Sequence, residues 1–128
     1  MQKLTVFKVF VADQEEALRF YTGKLGFEVA EDRRMGDYRW LLVRPPDNRE
    51  VSLNVETART RAEIQLVGRQ AAGQPLFSLS TDNCLRDYAA MNGRGVEFES
   101  EPKVMPYGTG VMMRDLYGNR IYLNQDPA

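Results

Sequence analysis

"VFVADQEEALRFYTGKLGFEV", residues 9–29, has a counterpart in "FSLSTDNCLRDYAAMNGRGVEF", residues 77–98. With Asp13 set on Asp82, Gly26 falls on Gly95 and Glu28 on Glu97 without a gap. An internal repeat of this kind means one supersecondary unit used twice. Each copy opens on an alternating apolar stretch and reaches an Asp. An amphipathic segment, a Gly and a second alternating stretch follow.

Local chemistry supports the helix in both copies. Asp13 is placed to cap a helix N-terminus, its carboxylate accepting from backbone N–H groups that have no partner inside the helix. Glu16, three residues on, suits the reciprocal half of a capping box. Leu18, Tyr21 and Leu25 recur at helical spacing as a buried stripe, and Gly26 suits a left-handed helix end. In the second copy Asp82 is the expected cap, Leu85, Tyr88 and Ala89 the stripe, and Gly93 or Gly95 the terminator.

Three strand-like stretches follow each helix. In the first half they are 27–32, "YRWLLVR" at 38–44 and "EVSLNVE" at 50–56, the last two separated by the turn-rich "PPDNR". In the second half they are 95–99, "GTGVMMRD" at 108–115 and "RIYLNQ" at 120–125. Gly118, three residues after Asp115, suits the last position of a type I turn. The expected fold class is therefore α+β, two tandem βαβββ modules: module one at about 3–56, a linker at about 57–75 and module two at about 76–125. The linker is Arg- and Ala-rich, with room for one short helix carrying a weak stripe through Ile64 and Val67.

Composition narrows the partners. A net charge of −1 over 128 residues offers no broad attraction to nucleic acid or to an anionic membrane. The opening "MQKLTVFKVFVA" is interrupted by Lys3 and Lys8 and reads as a strand rather than a signal peptide. No apolar run is long enough to cross a bilayer. The one cysteine, Cys84, forms no internal disulfide, which suits the cytoplasm, and reads as a small buried core residue.

The doubled pattern resembles the vicinal oxygen chelate superfamily, which includes glyoxalase I, bleomycin-resistance proteins and extradiol dioxygenases. "VADQEEALRFYTGKLGFEV", "PPDNREVSLNV", "GVEFESEPKVMPYG" and "DLYGNRIYLNQ" carry the likeness, in the order such proteins show. The resemblance implies half-open sheets that enclose a cleft, within one chain or between two, and a homodimer as the default assembly. It also implies four inward positions that bind a divalent ion in the metal-dependent members. Carried over by local motif, these fall on Val6, Ser52, Leu76 and Tyr122. A slip of one residue reaches Thr5, Phe7, Val51, Leu53, Pro75, Phe77, Ile121 or Leu123, which repairs nothing. The whole chain has no histidine. Val and Leu supply no donor atom, and a hydroxyl is a poor ligand while protonated. The expectation is a member with no metal and no cofactor.

Strand alternation then names the wall of the cavity. Lys8 and Phe10 share a face with Val6; Asn54 and Glu56 share one with Ser52; Ser78 and Ser80 accompany Leu76; and Asn124 accompanies Tyr122. Trp40 and Tyr38 either wall the cavity or pack beneath the helix. Tyr107 and Met112, with Met105, lie in or beside "PKVMPYGTG", whose Pro and Gly content suits a mobile flap. Aromatic and thioether surface with a few hydroxyls and amides suits a flat organic molecule. The first reading is a metal-independent protein of the bleomycin-resistance type that sequesters an aromatic or amphipathic compound, with no catalytic residue. The alternatives are an enzyme working without the metal through Lys8 and Tyr122, and a regulatory or auxiliary domain.

Overall fold

A computed structural model describes residues 1–128 and divides them into two compact units, Met1–Gly68 and Arg69–Ala128. In the first, β1 (Val6–Val11) leads into α1 (Gln14–Gly23), followed by β2 (Glu28–Met35), β3 (Tyr38–Arg44) and β4 (Ser52–Thr57), and α2 (Arg61–Leu66) closes the unit. In the second, β5 (Pro75–Ser80) and α3 (Cys84–Gly93) precede β6 (Glu97–Phe98), β7 (Lys103–Met105), β8 (Gly108–Arg114) and β9 (Arg120–Gln125). The strand orders are β1-β4-β3-β2 and β5-β9-β8-β6, with β7 also paired to β8. In both units the first strand runs parallel to the last, and the intervening pairs are antiparallel. The mixed α+β architecture expected from the repeat is present.

Asp13 caps α1, its carboxylate accepting from the Glu16 N–H at 3.1 Å. The helix ends on a left-handed Gly26 (φ +80), with the Phe27 N–H reaching back to the Tyr21 carbonyl at 2.9 Å. Its buried stripe is Ala17, Phe20 and Tyr21, continued by Leu25, while Leu18 is only half-buried. α1 lies against β3 and β4, on the sheet face whose buried odd-numbered residues are Val9, Val11, Leu41, Val43, Leu53 and Val55. Tyr21 is fully buried and sits edge-on to Phe20 at 5.3 Å between centroids.

The second helix corrects two expectations. Asn83, not Asp82, is its N-cap, accepting from the Arg86 N–H at 3.0 Å. Asp82 lies outside the helix and pairs with Arg86 at 2.6 Å instead. The inward residues are Cys84 and Met91, with Tyr88 half-buried edge-on to Phe98 at 4.7 Å, whereas Leu85 and Ala89 face outward. The true stripe runs at 84, 88 and 91, a spacing of four and then three, and includes the cysteine. Burial pushes the Cys84 thiol above its ordinary titration range.

Two further differences concern the second half and the connection. The stretch expected as a flap contains β7, which forms a hairpin with β8, so its backbone is partly tied into the sheet. The connecting segment holds α2, which has a full capping box between Thr60 and Glu63, but its only apolar side chains are poorly buried, Ile64 being 57% exposed.

The turn before β9 is held by one carboxylate. Asp115, almost fully buried, accepts from the backbone N–H groups of Tyr117 and Asn119 and from Asn119 Nδ2, each at 2.9 Å. Its own N–H donates to the Asn119 carbonyl at 2.8 Å, and Gly118 takes a left-handed φ of +91. Asp115→Ala strands two buried N–H donors, and we expect a loss of about 3 kcal/mol in unfolding free energy. Urea denaturation of wild type and variant measures it; a change under ~0.5 kcal/mol would contradict this role for Asp115.

Candidate functional site

Each sheet has one face covered by its helix and one that the helix does not touch. In the first unit the helix-free face carries Lys8 and Phe10 from β1, Ser52, Asn54 and Glu56 from β4, and Tyr38, Trp40 and Leu42 from β3. The register sets Val6 beside Ser52, Lys8 beside Asn54, Phe10 beside Glu56 and Leu42 beside Asn54. Trp40 has the strand parity of Leu42, opposite to that of the helix-facing Leu41 and Val43. It is therefore on the wall, half-buried, and not beneath α1.

β3 and β4 keep only two register pairs, Leu42 with Asn54 and Val43 with Leu53. Where the strands part, side chains take over the ladder's work. Gln14 Nε2 donates to the carbonyls of Val55 (2.8 Å) and Arg39 (3.1 Å), and Asn54 Nδ2 donates to the Leu41 carbonyl (3.2 Å). On the helix side Arg39 is locked by both oxygens of Asp32, at 2.9 and 2.8 Å, and by Glu15. These hydrogen bonds hold the Asp32 carboxyl below the usual carboxylate range.

At the open end of this face Glu56 is the hub. Tyr38 Oη donates to Glu56 Oε1 at 2.8 Å, and Lys8 Nζ lies 3.8 Å from Glu56 Oε2. Burial, followed by the hydrogen bond to Glu56, pushes the Tyr38 phenol above its ordinary range. The Arg59 guanidinium stands 5.7 Å from the Tyr38 ring centroid. The Lys8 side chain is 46% exposed against 17% for Glu56, so the ammonium keeps much of its hydration while facing a carboxylate.

On the second unit's helix-free face, Ser78 and Ser80 from β5 stand beside Tyr122 and Asn124 from β9, and Met112 and Gly110 from β8 lie on the other side. Ile121 and Leu123 point the other way and are buried. The Tyr122 ring leans diagonally across Gly110: a Cβ built there would come within 1.9 Å of Tyr122 Oη. No side chain fits beneath that ring, which explains a glycine in the middle of a strand. Tyr107, 59% exposed, lies at the β7–β8 turn near Tyr122. Burial, then the neighbouring Tyr107, pushes the Tyr122 phenol above its ordinary range, so it is a neutral hydroxyl near pH 7.

The positions carried over for a metal do not form a donor set. Val6 stands beside Ser52 as the motif alignment implies, but β5 has a register irregularity between Pro75 and Phe77, and the residue beside Tyr122 is Ser78, not Leu76. Valine, two serine hydroxyls and a neutral phenol offer no anionic or imidazole ligand. Nowhere in the molecule do three His, Cys, Asp or Glu side chains group so as to hold an ion.

Sequence reasoning set Lys8, Phe10, Ser52 and Asn54 on the inward face of one sheet and Ser78, Tyr122 and Asn124 on that of the other, with Tyr107 and Met112 at the opening and Trp40 left between wall and helix side. It missed Gly110, whose reason lies in a ring on the neighbouring strand that no local pattern reveals. It left Tyr38, like Trp40, open between the cavity wall and the helix side, and did not foresee its hydrogen bond to Glu56.

With this geometry in hand, the chain's kinship is clear. The profile of the Glyoxalase/Bleomycin resistance protein/Dioxygenase superfamily matches residues 3–123, and the chain belongs to that family. An uncharacterized protein of Shewanella frigidimarina is 37% identical over 120 residues, spanning 92% of this chain and 89% of its own. The crystal structure of UcmS2 superposes with a TM-score of 0.87 at 33% identity, over 97% of this chain and 98% of that one. TnmS3, described as an antibiotic binding protein from Streptomyces sp. CB03234, has a TM-score of 0.80 at 31% identity, covering 99% and 98%.

Two outcomes test the Tyr122 wall. Gly110→Ala forces the ring aside, and we expect a destabilisation of about 1–3 kcal/mol. Adding Tyr122→Ala should make the Gly110→Ala change close to neutral in a double-mutant cycle read by chemical denaturation; additive losses would refute the contact. The raised Tyr122 pKa sets a sign as well. Its contribution to stability is complete below the ordinary tyrosine value of about 10 and is lost as pH rises through the folded value. Phenolate absorbance of wild type minus Tyr122→Phe should show a tyrosine titrating above the exposed range, and a difference curve centred in that range would contradict it.

Proposed function

We propose that this protein is a metal-independent binding protein of the bleomycin-resistance type, which sequesters an aromatic or amphipathic small molecule on the helix-free faces of its sheets. The observation that carries the reading is the composition of those faces. Phe10 and Trp40 on one sheet, and Tyr122 and Met112 on the other, give flat, polarisable surface. Beside them on each sheet stand hydroxyls and amides rather than metal ligands. Such walls gain affinity by stacking and by removing apolar area from water, while a few polar atoms set orientation. The description of TnmS3 as an antibiotic binding protein supports the same use of the fold.

Net charge refines the ligand class. At −1 the chain has no strong field for a highly cationic compound, so the ligand is neutral or weakly charged. The protein acts in the cytoplasm, as its unpaired cysteine suggests, and as a homodimer. No helix is long and apolar enough to cross a membrane. For an enzyme built on Lys8 and Tyr122 the geometry adds little, because Lys8 faces Glu56 and Tyr122 is a phenol held in its neutral form.

Trp40 is the only tryptophan and reports directly on its wall. Titration with 2-naphthol should quench its emission saturably, and dialysis against EDTA should leave the affinity unchanged. One equivalent of divalent ion retained per chain after purification without added metal, or loss of binding on chelation, would contradict the proposal.

A further inference from the structure

On the helix-free face of each sheet one buried amide oxygen lacks a hydrogen-bond partner: Asn54 Oδ1 on β4 and Asn124 Oδ1 on β9. The two residues occupy the same place in the repeat. Each is on the last strand of its unit, two residues beyond Ser52 or Tyr122, and each is registered against the parallel first strand, Asn54 beside Lys8 and Asn124 beside Ser80. Buried polar atoms without partners are rare, and each calls for a physical explanation.

The orientation of both amides is set by acceptors. Asn54 Nδ2 donates to the Leu41 carbonyl at 3.2 Å, and Asn124 Nδ2 donates to the Asp126 carboxylate at 3.4 Å. Turning either amide over would set oxygen against oxygen, so the oxygen is the atom left without a partner. The flanking side chains do not satisfy it. Beside Asn54, Leu42 has no donor, and the Lys8 ammonium turns to Glu56 on a flexible, half-exposed stem. Beside Asn124 stands Gly110, over which the Tyr122 ring leans, and a Cβ added to Gly108 would come within 3.2 Å of Asn124 Oδ1, so the absence of a side chain at Gly108 keeps a methyl group off that oxygen.

We propose that Asn54 Oδ1 and Asn124 Oδ1 are the acceptors that select the ligand, favouring an aromatic compound that carries O–H or N–H donors over its alkylated counterpart. The inference rests on the reading of these faces as the binding surface. Both oxygens are shielded from bulk water, so a donor reaching them displaces no strong solvent hydrogen bond and relieves an acceptor left unsatisfied.

A matched set of probes tests this on the intact protein: 2-naphthol, 2-methoxynaphthalene and naphthalene, titrated by Trp40 quenching. The wild type should bind 2-naphthol about tenfold more tightly than either of the others, as one net hydrogen bond of roughly 1.4 kcal/mol requires. The preference, read as the ratio of affinities within one variant, should fall towards one in Asn54→Leu or in Asn124→Leu. Naphthalene binding also certifies that the variant is folded, and the wild-type comparison needs no variant at all. Equal affinities for the three compounds, or a preference untouched in both variants, would overturn donor selection while leaving aromatic binding intact. Failure of all three to bind would remove the aromatic-binding reading itself, and this inference with it.

Discussion

The parallel pairing of first and last strands is the constraint on which each unit depends. β1 lies against β4 and β5 against β9, with the helix folded over one face to make the crossover. Because side chains alternate, this pairing sorts every residue of four strands at once. Val9, Val11, Leu53 and Val55 go under α1, and Lys8, Phe10, Asn54 and Glu56 go to the other side. On the second sheet Ile121 and Leu123 are buried while Tyr122 and Asn124 face away from α3. A shift of one residue would bury Lys8 and Glu56 and expose a row of valines, so core and site fix each other's register.

Where the ladder opens, polar side chains hold the geometry. Gln14 and Asn54 satisfy carbonyls that β3 and β4 cannot satisfy for one another, and Arg39 ties α1 to the sheet through Glu15 and Asp32. Glu99 does similar work in the second unit. It bridges Arg114 at 3.0 Å and Arg120 at 2.8 Å, two like charges that the register sets side by side. Its carboxyl is held below the usual range, chiefly by the hydrogen bond from Arg120.

Much of this was legible in the sequence because it rests on short-range rules. Asp13, Gly26 and Gly118 are turn and cap chemistry, and the faces of β1, β4 and β9 follow from period two. What was not legible depended on a choice between adjacent residues or on a contact across strands. Asp82 and Asn83 are both good caps, and only the packing of Cys84 and Met91 decides between them. Leu76 was carried over by motif as the partner of Tyr122, whereas an irregularity in β5 sets Ser78 beside that ring. Gly110 is explained only by a ring two residues along on the neighbouring strand. The orphan oxygens of Asn54 and Asn124 depend on where the carbonyl of Leu41 and the carboxylate of Asp126 come to rest, which no local rule supplies.

The central claim is that the faces turned away from α1 and α3 are the working surface of this protein. Intermolecular nuclear Overhauser effects from 2-naphthol to assigned side chains test it most directly. The account predicts contacts to Trp40 and Phe10 on one sheet and to Tyr122 and Met112 on the other. Contacts confined to the outward-facing Val29, Leu85 and Val104, with none to these four, would contradict it.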